Sequence, residues 1–222
     1  MATLGSEESH YLYLQNELTH FLRPLVARLD VSRFKRSRIR ALDVGAKNFF
    51  LGPTIERLFY EKQIEVEIHG IEIDAYRRNL SFRSRLDYAE YFCTRIARGH
   101  FHAMDFLKWE EPADVVFLLN PFVTAEPLLR WGLPIKHLQP ESLLAKCREV
   151  LLRREGYLIT SHPTENEQQM FEELATRFGF VKVGDNSWSP KKDSIQKQVR
   201  LGSAWRVSTT PNFHPSASPN PQ

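Results

Sequence analysis

Glycine is scarce in this chain, at 10 of 222 residues against an average of about 7%. A fold built on repeated glycine-rich phosphate loops would have few to spend. Cysteine is scarcer still: Cys93 and Cys147 are the only two. They lie far apart and match no metal-ligand spacing, which excludes a disulfide framework and a cysteine-based zinc site and fits a reducing, cytoplasmic setting. No apolar run approaches the ~20 residues of a membrane span. Residues 1–9 have neither the basic start nor the apolar stretch of a secretory signal. Charge of one sign is also missing. Lys plus Arg is 30, Asp plus Glu is 27, and the net charge is +3, too small to predict nucleic-acid binding unless it is clustered. What is present is an ordinary globular mixture, 42% hydrophobic and 26% charged, and a chain long enough to bury a substantial core.

The apolar pattern alternates in period. Leu14, Leu18, Phe21, Leu22 and Leu25 recur at helical spacing over residues 10–29, with Pro24 predicting a kink or break. Short apolar runs at 39–44, 66–74, 100–105, 113–120 and 156–161 read as strands. Residues 75–97, 140–154 and 165–178 read as helices between them, with Pro53 opening another and Gly179 ending the last. Residues 180–183 and 199–208 close the pattern as two strands with no helix between. The expected architecture is therefore α/β, with a mostly parallel sheet and a C-terminal antiparallel hairpin. The predicted divisions are a helical extension over 1–37, an α/β domain over 38–210 and a disordered, proline-rich tail over 211–222. Residues 123–139, with two prolines, are long enough for a functional loop, either a lid over an apolar pocket or an extra core layer.

In an open parallel sheet, ligands bind beyond the carboxyl ends of the strands. Asp43, Glu72, Asp105 and Asn120 each fall at such an end, and their convergence on one crevice is the main functional expectation. The alternative is that each merely caps the turn that follows.

The order Asp43-Val44-Gly45, Gly70-Ile71-Glu72-Ile73-Asp74, Met104-Asp105-Phe106 and Asn120-Pro121-Phe122 resembles the class I S-adenosylmethionine-dependent methyltransferases over residues 38–208. The resemblance implies a three-layer, Rossmann-like sandwich with a seven-stranded sheet, S-adenosylmethionine as cofactor, and methyl transfer to an acceptor it does not identify. It further implies that Asp43 supports the first loop and Gly45 lets backbone approach the cofactor. Glu72 would take the ribose hydroxyls, and Asp105 the adenine amino group with the Phe106 backbone beside the ring. Ile73 falls inside the second matched segment, and Ala46 directly follows the first. The family's loop reads acidic-x-Gly-x-Gly-x-Gly; here Lys47 and Phe49 stand where its later glycines would be. Lys47 and Asn48 would then meet the methionyl carboxylate, or Lys47 would face solvent. Asn120-Pro121-Phe122 partly matches the signature of methyltransferases acting on amide or base nitrogens, which makes Asn120 a candidate for orienting an acceptor. His162, after the fifth strand, is the candidate base.

Three expectations stay beside this one. The glycine-poor loop suits a non-catalytic binding module of the same fold. Arginines at 77, 78, 83, 85, 95 and 98, interleaved with Tyr76, Phe82, Tyr88, Tyr91 and Phe92, and the basic run at 33–40 could follow a phosphate backbone; the plainer reading is a solvated face whose aromatics turn inward. His100 and His102 with Asp105 lack a dependable metal spacing, so no metal is expected.

Overall fold

The computed structural model describes residues 7–34, 36–80, 82–189 and 199–209. The predicted tail over 211–222, and Lys35 of the basic run, lie outside these. Seven strands form one sheet: β1 (Arg38–Val44), β2 (Glu65–Ile71), β3 (Gly99–His102), β4 (Val115–Leu119), β5 (Tyr157–His162), β6 (Phe180–Trp188) and β7 (Arg200–Val207). Their order is β3-β2-β1-β4-β5-β7-β6. The first five are parallel, and β7 runs antiparallel between β5 and β6. The expected mixed sheet with its terminal antiparallel pair is what forms.

Burial explains why the central strands read as continuous apolar runs. In β1 and β2 the entering residue is exposed and the last four are buried, as in parallel strands covered on both faces. One face carries α1 (Glu7–Ala27), α2 (Gly52–Tyr60) and α3 (Arg85–Cys93), which join Phe21, Leu25, Ile55, Phe59 and Phe92 into one core layer. The other face carries α5 (Pro140–Leu152) and α6 (Glu165–Arg177), with Leu144, Val150, Phe171 and Trp205 in a second layer. A short α4 (Ala125–Arg130) precedes α5.

Two local expectations are corrected. α1 does not break at Pro24; it continues three residues past it, because a proline in the last turn removes little of the ladder. The helix predicted over 75–97 forms only from Arg85. Ser84 and Asp87 make a capping box, each side chain bonding the other's backbone N–H, and this fixes the start there. The 123–139 connection holds α4 and a 3-10 turn at Ile135–His137.

Strand order reverses between β1 and β4. From β1 the chain moves outward to β2 and β3, then returns to β4 on the other side. The crevice outside the carboxyl ends at such a switch point is where ligands of open α/β sheets bind.

Candidate functional site

A cleft of about 820 Å³ opens at this switch point, lined by Asp43, Lys47, Glu72, Asp105, Asn120 and Trp131 among others. Its volume lies within the ordinary range for small-molecule sites. Four strand-end residues expected to converge therefore do share one cleft.

The loop after β1 forms its floor. The Gly45 and Ala46 N–H groups both donate to the Ile71 carbonyl, at 2.9 and 3.1 Å, tying the loop to the end of β2. Gly45, Lys47 and Phe49 all have left-handed backbone, at φ +71°, +53° and +61°. The alternate positions that carry glycine in the resembled pattern thus keep glycine's conformation when two of them carry side chains. Each such residue costs about 1–2 kcal/mol. Two contacts offset that cost. The Phe49 ring is fully buried and lies against Gly70 and Gly52, where an added Cβ would come within 2.5 and 3.1 Å of it. The Lys47 N–H donates to Glu72 Oε2 at 2.8 Å.

Glu72 is the hub of the site. Its Oε1 accepts from the Asp74 N–H at 2.8 Å and pairs with Arg85 Nη1 at 3.2 Å. A carboxylate has about four acceptor positions; two backbone N–H groups take one each, and the Arg85 ion pair lies against Oε1. Asp74 holds Arg77 at 2.5 Å and Arg85 at 3.6 Å, so it serves as an arginine clamp.

Asp43 and Lys47 are the electrostatically unusual pair. Asp43 is buried, and its Oδ2 has no hydrogen-bond partner among the described residues. Burial, reinforced by the negative charge of Glu72 and opposed by Lys47, pushes its carboxyl up to about 7. Burial first, then Arg85 and Arg200, pushes the Lys47 ammonium down to about 8. That ammonium sits 4.1 Å from the centre of the Trp131 ring, a cation–π contact.

The remaining sequence-derived candidates divide. Ala46 and Ile73 line the cleft. Asp105 lines it and also accepts from the Leu107 N–H at 2.9 Å, so it does cap the turn that follows. Phe106 is mostly buried in the second core layer. Asn120 has left-handed backbone, and its Oδ1 accepts from the Ser161 hydroxyl at 3.1 Å. Asn48 is turned away: its amide donates to the Tyr11 hydroxyl at 2.7 Å, toward α1. His162 is buried against Phe171, ring centroids 4.8 Å apart, and does not line the cleft; a base must reach its proton donor.

Arg85 and Arg200 line the cleft without having been singled out for it, and Trp131 lines it from the 123–139 segment that was expected to form a lid or a core layer. Arg85 had a usable signal, the Ser84–Asp87 capping box that puts it at the first position of α3. Arg200 had none.

No protein-family model matches the sequence, and no curated protein is similar to it. Solved structures are. A provisionally assigned RNA methyltransferase from Pyrococcus horikoshii has a TM-score of 0.57 at 13% identity, over 88% of this chain and 84% of its own. Magnesium protoporphyrin IX methyltransferase from Synechocystis, with bound S-adenosylmethionine, has 0.57 at 10% identity, over 94% and 86%. A provisionally assigned class I S-adenosylmethionine-dependent methyltransferase from Listeria monocytogenes has 0.58 at 12%, over 93% and 62%. The chain has the class I methyltransferase fold. No helix among the described residues is long and apolar enough to cross a membrane.

Proposed function

We propose that the chain binds S-adenosylmethionine in the switch-point cleft and transfers its methyl group to an acceptor. The observation that carries this reading is the loop 45–49, which keeps left-handed backbone at 45, 47 and 49 and is clasped by Glu72 beside an Asp43 oxygen that has no hydrogen-bond partner among the described residues. That oxygen is a buried acceptor without a donor, and the amino-acid end of the cofactor carries an ammonium that would supply one. Lys47 suits the adjoining carboxylate. Glu72 keeps acceptor capacity for the ribose hydroxyls, and Asp105, which also lines the cleft, would take the adenine amino group. When bound, the cofactor supplies a methyl group on a sulfonium, an excellent leaving group. The chain's part is then mainly to orient the reactants and exclude water. Asn120, on the cleft rim, is the residue placed to orient an acceptor.

The test is a calorimetric titration of the full chain with S-adenosylmethionine and with its demethylated product. Asp43 is largely protonated at pH 6 and largely ionised at pH 7.5, whereas an α-amino group stays mostly charged to about pH 7.7. Affinity should therefore rise several-fold between those values. Asp43→Asn should abolish the rise and weaken binding at pH 7.5 at least about tenfold, the size of one charged hydrogen bond. A binding module that takes some other ligand is the second reading, favoured by the three protein groups already on Glu72. No heat and no thermal shift at millimolar cofactor would give it the lead.

A further inference from the structure

Away from the cleft, at the β2–β3 edge, His69, His100 and His102 gather with Glu67 and Trp109. His69 and His100 are paired in register on neighbouring parallel strands, so their side chains leave the same face. Their rings lie 4.9 Å apart at 22°, and the His102 ring lies 5.2 Å from His69 at 21°. His69 Nε2 and His100 Nε2 approach the same oxygen, Glu67 Oε1, at 3.7 and 3.6 Å. The ligating atoms of Glu67, His69 and His100 all lie within 4.8 Å of one another.

We propose that Glu67, His69 and His100 bind a divalent transition-metal ion of the zinc class, with solvent completing the shell. The first argument is an unmet need. His69 is only 7% exposed, and its Nε2 is buried with no hydrogen-bond partner among the described residues. Buried polar atoms are as a rule hydrogen-bonded, and this one is turned toward a carboxylate oxygen and a second imidazole. The second is the tautomer. Ligation through Nε2 requires the proton on Nδ1, and Nδ1 lies 3.0 Å from His102 Nε2, an acceptor in the matching tautomer. Metal-bound histidines donate their other ring N–H to an outer acceptor, and His102 Nε2 supplies one here. The third is the carboxylate. Arg40 holds Glu67 through Oε2 at 3.3 Å and leaves Oε1 facing the imidazoles; Arg40 is itself answered by Glu111.

Geometry and chemistry agree with that class of ion. Tetrahedral bonds of about 2.0–2.1 Å space donor atoms about 3.4 Å apart. Both histidine–glutamate distances are within a few tenths of an ångström of this. The wider histidine–histidine gap closes by rotation of His100, whose side chain is 49% exposed. Two imidazoles and one carboxylate suit zinc, cobalt, nickel or copper rather than magnesium or calcium. His100 and His102, the pair adjacent in sequence, do not ligate together: His102 faces His69 and Asp105 caps its own turn.

The test is a titration of the tag-free full chain with cobalt chloride, followed by visible absorption and tryptophan fluorescence, with zinc chloride as competitor. The Trp109 ring lies 5.2 Å from His69 and 5.1 Å from His102, so bound cobalt should quench it. The expected result is saturation at one equivalent, displacement by zinc, and at least tenfold weaker binding in His100→Ala and in Glu67→Gln. His100 is exposed, and Glu67→Gln keeps the shape of a half-buried side chain, so metal-free circular dichroism should match the parent. Absence of a saturable one-equivalent transition overturns the proposal. So does unchanged affinity in the His100→Ala, Glu67→Gln double variant.

Discussion

His162 shows how a one-residue difference in a strand moves a side chain from one environment to another. The fifth strand was expected to end at Ser161, leaving His162 on the loop above the crevice. β5 in fact includes His162. The twofold alternation along a strand then aligns it with Leu158 and Thr160, under α6 and against Phe171. Neither ring nitrogen has a hydrogen-bond partner among the described residues, and burial pushes the imidazole down to about 4. A buried unmatched polar group costs about 1–3 kcal/mol. His162→Leu, which keeps apolar volume and removes both groups, should stabilise the chain by about 1–2 kcal/mol. In the parent, the unfolded chain takes up a proton below pH 6.5 that the folded chain refuses until about pH 4. The parent's stability therefore falls with pH across that window, and the variant's advantage should widen there. Thermal midpoints at pH 7.5 and 5 measure both effects. A lower midpoint for the variant at pH 7.5 would mean that the ring is satisfied after all.

The loop between β1 and α2 was legible in position, and Asp43 and Gly45 fall where the pattern puts them. Its lack of glycine was not interpretable from the loop alone. The residue that makes room for Phe49 is Gly70, on the next strand, and such pairing across strands leaves no local trace. The same limit hid the histidine cluster, which draws its members from two strands. The start of α3, by contrast, was written locally in Ser84 and Asp87 and was overrun by the apolar pattern around it. Gly70→Ala should destabilise by about 1–3 kcal/mol, because its methyl group would overlap the Phe49 ring. Phe49→Ala should cost about 3–5 kcal/mol through the cavity it leaves. Together they should cost less than the sum by at least about 1 kcal/mol, since the ring that obstructs the methyl is gone. Urea unfolding of the four proteins reads the coupling, and strict additivity would show that the two side chains do not share that space.

At the scale of the whole molecule, the strand order and the switch-point cleft follow from the alternation of helices and strands, which the sequence pattern displays plainly. The role of α1 does not follow from it. An amphipathic helix ahead of the first strand reads as an appendage, but α1 forms part of the layer that covers one face of the sheet. Phe21, Leu22 and Leu25 are fully buried. An added Cβ at Gly202 of β7 would come within 2.6 Å of Phe21 and 2.7 Å of Leu25, so this strand is shaped to receive the helix. Polar ties fix its position: Asn186 donates to the Phe21 carbonyl at 2.7 Å, Gln15 to the Phe50 carbonyl at 2.8 Å, and Tyr88 to Glu7 at 2.6 Å. Burying Leu18, Phe21, Leu22, Leu25 and Val26 is worth about 1.5–3 kcal/mol each. Their sum is comparable with the whole stability of a typical domain, about 5–15 kcal/mol. Removing residues 1–28 should therefore leave a chain without a cooperative unfolding transition or near-ultraviolet circular dichroism, rather than a smaller folded domain. The cleft should be lost with it, because Asn48, in the loop that floors the cleft, and Phe50, just after it, are held by Tyr11 and Gln15 of α1. A truncated chain that unfolds cooperatively near the parent's midpoint would show instead that the α/β layers stand without the helix.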